Sequence, residues 1–216
     1  MLAMVRAHIR GIVLLALALV GADAVRAEVA GEGAPVAFWR TGWAWTAYTG
    51  VLNDPDKADT HNLMIFADYP SFIRREKLYA FSAQKRLGGY RDWVDWEADA
   101  TLAYHSGSVD YAEGAVLGGF RWLKFPWDRW LDTSLAYFIG ASYASKVAAF
   151  ENVPAHSGRH SSHWLPALKM ELEFRLPQES PWSVVFGYHH RSGAWGALAD
   201  RGTISDFACV GLKLRR

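Results

Sequence analysis

The sequence predicts an all-β chain: an eight-stranded antiparallel transmembrane β-barrel. Three observations predict it. After the first 27 residues no apolar run approaches the roughly 20 residues that a membrane-spanning helix needs. The 216-residue chain nevertheless carries 11 Trp, 9 Tyr and 11 Phe, a content that suits the aromatic girdles of a barrel in lipid. Eight segments also alternate with period two, the period of a strand whose successive side chains face opposite ways.

The chain opens with a segment that reads as a secretory signal. Arg6 and Arg10 precede the ten-residue apolar run GIVLLALALV, and Val25-Arg26-Ala27 offers a cleavage site before Glu28. Ala22-Asp23-Ala24 is a second site, and an uncleaved N-terminal anchor is the competing reading. The expected division is therefore a signal peptide over residues 1–27 and an outer-membrane barrel over 28–216. Removal of the signal takes three Arg and one Asp, so the formal net charge of +1 becomes −1. That balance excludes a nucleic-acid footprint and a polybasic membrane patch. The single cysteine, Cys209, cannot close an internal disulfide and is expected to be a small core residue.

Taken in order, segment 38–51 puts Trp39, Trp43, Trp45 and Val51 on one face. Segment 76–86 sets Tyr79, Phe81 and Ala83 against Ser82, Gln84 and Arg86. In 93–105, Val94, Trp96, Leu102 and Tyr104 oppose Asp95, Glu97, Asp99 and Thr101. In 111–125, Val116, Phe120 and Trp122 oppose Glu113 and Arg121. Segment 130–140 sets Leu131, Leu135, Tyr137 and Ile139 against Asp132 and Ser134. Segment 163–176 is the clearest: Trp164, Leu168, Met170, Leu172 and Phe174 lie opposite Lys169, Glu171, Glu173 and Arg175. Segments 182–192 and 205–214 complete the set.

A soluble sandwich would put its apolar faces inside. Here the polar faces carry opposed charges, Lys169, Glu171 and Arg175 with Asp95, Glu97, Asp99 and Arg121. Such groups can pair inside a barrel while the apolar faces meet lipid. Closure also removes the open edges that a bilayer forbids. Eight strands leave an interior filled by side chains, which excludes a porin. The periplasmic turns are expected at 87–90, 126–128 and 177–181, all rich in Gly, Pro and Asp. The outer loops are expected at 53–75, 105–110, 142–162 and 193–204, three of them long, as outer-membrane barrels have them. Two features fit less simply. Residues 63–73 (LMIFADYPSFI) are apolar for a loop and are expected to form a short helix on the outer leaflet or a strand extension. The chain closes on Leu214-Arg215-Arg216 rather than an aromatic residue, which bears on assembly efficiency more than on fold.

Chemistry is expected at the last hairpin. Trp182, Val184, Phe186 and Tyr188 form the lipid face of the seventh strand, and His190 and Ser192 continue it. Asp206 points outward at the outer end of the eighth strand. A serine nucleophile needs a base within hydrogen-bond reach and an acid to orient that base. These three side chains converge on one face near the rim. The plainer readings are that Ser192 is a turn residue before Gly193 and that Asp206 ends a loop. His189, on the opposite face, reads as a lumen residue bonded to a carboxylate. His156, His160 and His163 share the third outer loop, but their spacing matches no metal motif.

The stretch Tyr188-His189-His190-Arg191-Ser192-Gly193, followed by an acid in the next strand, resembles the His-x-Ser motif of the lipid A 3-O-deacylases of the PagL type. That resemblance implies an eight-stranded barrel of a Gram-negative outer membrane that hydrolyses an acyl ester of lipid A. Ser192 would be the nucleophile, His190 the general base and Asp206 the orienting acid, with Asp standing where the family has Glu. Backbone N–H groups of residues 193–196 would be the oxyanion donors. The tracts RWLKFPWDRW (121–130) and HHRSGAWG (189–196) are similar to uncharacterised barrel proteins related to that family. The expected partners are outer-leaflet lipid A or lipopolysaccharide and the membrane itself. A homodimer is allowed, and no nucleic acid, cofactor or metal is expected. The alternative is a non-enzymatic structural or adhesive outer-membrane barrel whose long loops bind a partner. A lipid A acyltransferase fits less well, because the narrow strands show no acyl-chain pocket.

Overall fold

Eight segments of alternating residues become eight strands in the computed structural model. It describes residues 42–53, 72–151, 161–175, 180–194, 198–199 and 203–215. The strands are β1 (Trp43–Asn53), β2 (Phe72–Tyr90), β3 (Val94–Ser106), β4 (Tyr111–Trp122), β5 (Asp132–Ala144), β6 (Trp164–Arg175), β7 (Trp182–Ser192) and β8 (Ile204–Arg215). Each pairs antiparallel with its sequence neighbours, and β8 returns to β1, so the barrel is closed. No helix among the described residues is long and apolar enough to cross a membrane. The expected signal segment lies outside the described residues.

The alternation sorts side chains as expected. Phe81, Trp96, Leu102, Ile139, Phe186 and Leu212 are exposed on the outer wall. Trp43, Tyr90, Trp93, Trp122, Trp130 and Trp182 gather at the short-turn end. Tyr79, Tyr104, Tyr143 and Trp164 gather at the other end. Two aromatic belts flanking an apolar band are what an amphipathic ring finds favourable at the two membrane–water interfaces. This is the architecture of a membrane-spanning barrel of the outer-membrane type.

The lumen is a charge network. Arg121 is fully buried; its guanidinium donates to Glu97 Oε1 at 2.9 Å, Glu171 Oε2 at 3.0 Å and Glu173 Oε2 at 3.0 Å. It also reaches Ser134 Oγ at 3.0 Å and Gln84 Oε1 at 3.3 Å. Lys169 donates to Asp99 at 2.5 Å, Lys213 to Glu171, and Arg215 to Glu173 at 2.6 Å. Each of these buried charges therefore faces at least one opposite charge within hydrogen-bond reach, the condition under which ions tolerate a dry interior. Cys209 is buried, as expected, against Tyr48, Leu52 and Phe207.

The boundaries differ from expectation at both ends of β2, and β5 runs on to Ala144, into the expected 142–162 loop. Residues 87–90 continue β2 past a bulge between Arg86 and Gly88, and the turn falls at 91–93, where Arg91 adopts φ 51°. Gly89 serves close approach: a Cβ there would stand 2.2 Å from Asp95 Oδ1, the carboxylate oxygen that Arg86 Nε holds at 2.9 Å, whereas a Cβ on Gly88 would meet open space. At the other end of β2, residues 72–75 belong to the strand and Asn53 closes β1. The apolar tract 63–73 thus contributes Phe72 and Ile73 to β2; its residues 63–71 lie outside the described residues. The 126–128 turn is where it was expected. Asp128 accepts the Phe125 N–H at 2.7 Å and the Thr133 N–H at 3.3 Å. Asp128→Ala removes both bonds and should lower stability by about 1–2 kcal/mol, read as a lower urea midpoint for the barrel in lipid vesicles.

Candidate active site

β7 and β8 meet without a register break from Trp182↔Leu214 to Ser192↔Ile204, and this register places His190 directly opposite Asp206. On the other side His190 pairs with Leu168 of β6. His190 and Asp206 both point to the outer wall, yet they are only 7% and 2% exposed. The His190 Nδ1–H donates to Asp206 Oδ1 at 2.5 Å. That bond directs the ring tautomer and leaves Nε2 as the free, proton-accepting nitrogen. The Tyr188 ring stacks on the imidazole, with centroids 5.9 Å apart and planes 17° apart. A ring held by a carboxylate on one edge and an aromatic face on another has little freedom to rotate, which suits a positioned base.

Ser192 follows on the same face, half-buried at the strand end. The structure therefore brings His190 and Asp206 together as expected and places Ser192 beside them. Among the described residues no hydrogen bond joins Ser192 Oγ to His190. Catalytic hydrogen bonds in unliganded sites are often long and tighten only with substrate present.

The loop after Ser192 modifies one expectation. The Gly193 N–H donates to Thr203 O at 3.0 Å, so it is not a free oxyanion donor. The Gly193 carbonyl in turn accepts the N–H groups of Leu198 and Ala199 at 3.1 and 3.4 Å. These bonds bring Leu198 and Ala199 back to Gly193, and Ala194 sits at φ 50° beside it. Its N–H has no backbone partner among the described residues, which leaves it as a candidate oxyanion donor. A left-handed non-glycine residue is uncommon and is often held in place at functional sites.

The lumen side of the same strand is a brace. Arg191 donates to Glu151 Oε1 at 2.7 Å and to Ser142 Oγ at 2.8 Å. Glu151 ends a single 3-10 turn, Ala149–Glu151, that tucks into the barrel mouth. Burial raises the Glu151 carboxyl above its ordinary value, and the Arg191 guanidinium counters that shift. His189 faces inward; its Nε2 lies 3.1 Å from Glu113 Oε1 and its Nδ1 3.3 Å from the Tyr48 hydroxyl. Adjacent histidines thus serve opposite faces, as period two requires. The sequence singled out neither the Tyr188 stack nor the Arg191–Glu151 pair, because nothing in residue spacing marks a stack or a partner 40 residues away.

Among the described residues no group of three His, Cys, Asp or Glu side chains is arranged to hold a metal ion. His163 donates through Nδ1 to the Ala144 carbonyl at 2.7 Å. His156 and His160 lie outside the described residues.

No protein-family model and no curated protein matches the chain. Among solved structures it is similar to that of the outer membrane enzyme PagL, with a TM-score of 0.53 and 11% identity over 80% of this chain and 99% of that one. The attachment invasion locus protein Ail of Yersinia pestis matches with a TM-score of 0.43, 10% identity and coverage of 82% and 99%. Neisserial surface protein A matches with a TM-score of 0.46, 10% identity and coverage of 81% and 96%. At such identities the likeness to PagL is one of fold.

Proposed function

We propose that the chain is an outer-membrane esterase that hydrolyses an acyl ester of lipid A. The observation that carries this reading is the outward-facing His190–Asp206 pair at 2.5 Å with Ser192 on the same face. A polar pair on the lipid-facing wall of a barrel has little structural use, since polar groups there are costly and are kept for function. It stands where the ester bonds of outer-leaflet lipid would pass.

The chemistry follows from the geometry. His190 Nε2 takes the proton of Ser192 as Oγ attacks the ester carbonyl carbon. Asp206 stabilises the imidazolium that forms. The tetrahedral oxyanion collapses, the C–O bond to the sugar breaks, and the imidazolium proton goes to the departing alkoxide. Water then attacks the acyl-serine by the same route and releases the fatty acid. The Ala194 N–H would serve as an oxyanion donor. Residues 1–27 act as the export signal in this reading. The Asp in place of the family's Glu is accommodated because direct cross-strand pairing shortens the distance the acid must span.

The test is mass spectrometry of lipid A from cells producing the protein or its Ser192→Ala variant. Loss of one hydroxyacyl mass with the parent protein and not with the variant is the expected result. Unchanged lipid A in both, with heat-modifiable gel mobility showing a folded barrel, overturns the esterase reading. The non-enzymatic reading draws on one observation, the absence of a Ser192–His190 hydrogen bond among the described residues. It expects loop exchange, not Ser192→Ala, to remove the phenotype.

A further inference from the structure

The wall next to the His190–Asp206 pair carries two features that the hydrolytic machinery does not use. The first is on β1. The register that pairs Leu52 with Phe207, both in the lumen core, carries Asn53 to the level of Asp206 and turns it to the outer wall. Asn53 is 1% exposed, and neither its Nδ2 nor its Oδ1 has a hydrogen-bond partner among the described residues. Native folds leave few buried amides unpaired, and each one asks for a reason. The row from β7 to β1 is therefore His190, Asp206, Asn53: a base, an acid and an amide with both functions open.

The second feature is on β2. The register breaks between the Val51↔Lys77 and Leu52↔Ile73 pairs, so Arg74, Arg75 and Glu76 bulge from the strand. Bulges at barrel rims re-aim side chains. This one turns Glu76 inward, where its carboxylate accepts the Ser108 N–H at 2.9 Å, and leaves Arg74, Arg75 and Lys77 exposed. Arg75 lies 3.4 Å from Glu76. Arg74 and Lys77 have no carboxylate partner among the described residues. Two residues below Lys77, Tyr79 and Tyr104 pair with each other, each 48% exposed, and mark the level of the membrane interface. The cations thus stand just beyond the interface, at the height of lipid headgroups.

We propose that Asn53, Arg74 and Lys77 form a headgroup subsite for a phosphate-bearing glycolipid of the outer leaflet, next to the His190–Asp206 pair. The proposal rests on the esterase reading for what happens after binding, but not for binding itself. β7, β8, β1 and β2 are consecutive neighbours around the barrel, so the cations lie about three strand spacings, roughly 15 Å, from His190. A phosphorylated disaccharide headgroup can bridge that distance. Arg74 and Lys77 take the phosphate through charge-assisted hydrogen bonds, and the Asn53 amide donates to and accepts from a sugar hydroxyl or amide. Fixing the headgroup at one end holds an ester at the other against Ser192.

The test reads binding apart from turnover. Fluorescent diphosphoryl lipid A and its dephosphorylated form are titrated against the folded Ser192→Ala protein in zwitterionic detergent micelles. The phosphorylated lipid is expected to bind about tenfold or more tightly, the worth of one good charge-assisted bond. Adding Arg74→Gln and Lys77→Gln should abolish that preference. Asn53→Ala should weaken both lipids alike, because its partner is not the phosphate. Arg129→Gln, at the short-turn end over Trp130, removes a cation elsewhere and should leave the preference intact. Equal affinity for the two lipids, or a preference that survives the double substitution, overturns the subsite. Hydrolysis retained by Ser192→Ala removes Ser192 as the nucleophile, and lipid A left unchanged by the parent protein overturns the esterase reading; either result leaves the subsite standing.

Discussion

Ser192→Ala is expected to lower ester hydrolysis by at least about a thousandfold while the barrel stays folded, because removing a nucleophile deletes the covalent route and leaves only binding and oxyanion contacts. The side chain is half-buried at a strand end, so its loss opens no core cavity. Asp206→Asn is the sharper companion. The amide keeps the shape of the acid but can present its NH2 to His190 Nδ1. That would put the ring proton on Nε2, the nitrogen that must accept from Ser192, and cost on the order of 10³–10⁴ in rate. Release of hydroxyacyl chains from lipid A, followed by mass spectrometry on refolded variants, reads both. A fall in rate with Ser192→Ala but not with Asp206→Asn would leave the serine and remove Asp206 from the mechanism.

Arg121→Ala should destabilise the barrel by about 3–5 kcal/mol, the largest single loss expected in the lumen. One guanidinium holds Glu97, Glu171 and Glu173 from three directions. Without it these carboxylates face one another in a water-poor interior, with Lys169, Lys213 and Arg215 left to compensate. Arg121→Lys should recover little of the loss, since a point charge on a flexible stem cannot make the planar, multidentate contacts that the guanidinium makes. Urea unfolding in vesicles, followed by tryptophan fluorescence, measures the difference. A loss under about 1 kcal/mol would mean that the remaining cations rearrange to neutralise the cluster, and that Arg121 is not its keystone.

The parts of the site that were legible in the sequence are those joined by short stretches of chain. His190 and Asp206 are 16 residues apart across one hairpin. Period two put both on the outer face, so their meeting needed only the register of one turn. The Gly88–Gly89 pair misled, because two glycines serve a turn and a close approach equally well. Only the Asp95 carboxylate standing where a Cβ would be tells the two apart. The Gly193 N–H likewise looked available until the loop folded back and gave it to Thr203.

The sequence by itself determined which residues face lipid and which face the lumen, because side-chain alternation is a local property of the strand. It also determined the strand number, and the side of the barrel on which the His-x-Ser segment lies. Only the tertiary structure decided which charge meets which. Lys169 reaches Asp99 across 70 residues and Arg121 reaches Glu173 across 52. Only closure of β8 on β1 sets Leu52 opposite Phe207, and so Asn53 at the level of Asp206. Such contacts depend on the stagger of strands around the closed barrel, a sum over every register at once, which no local pattern of residues encodes.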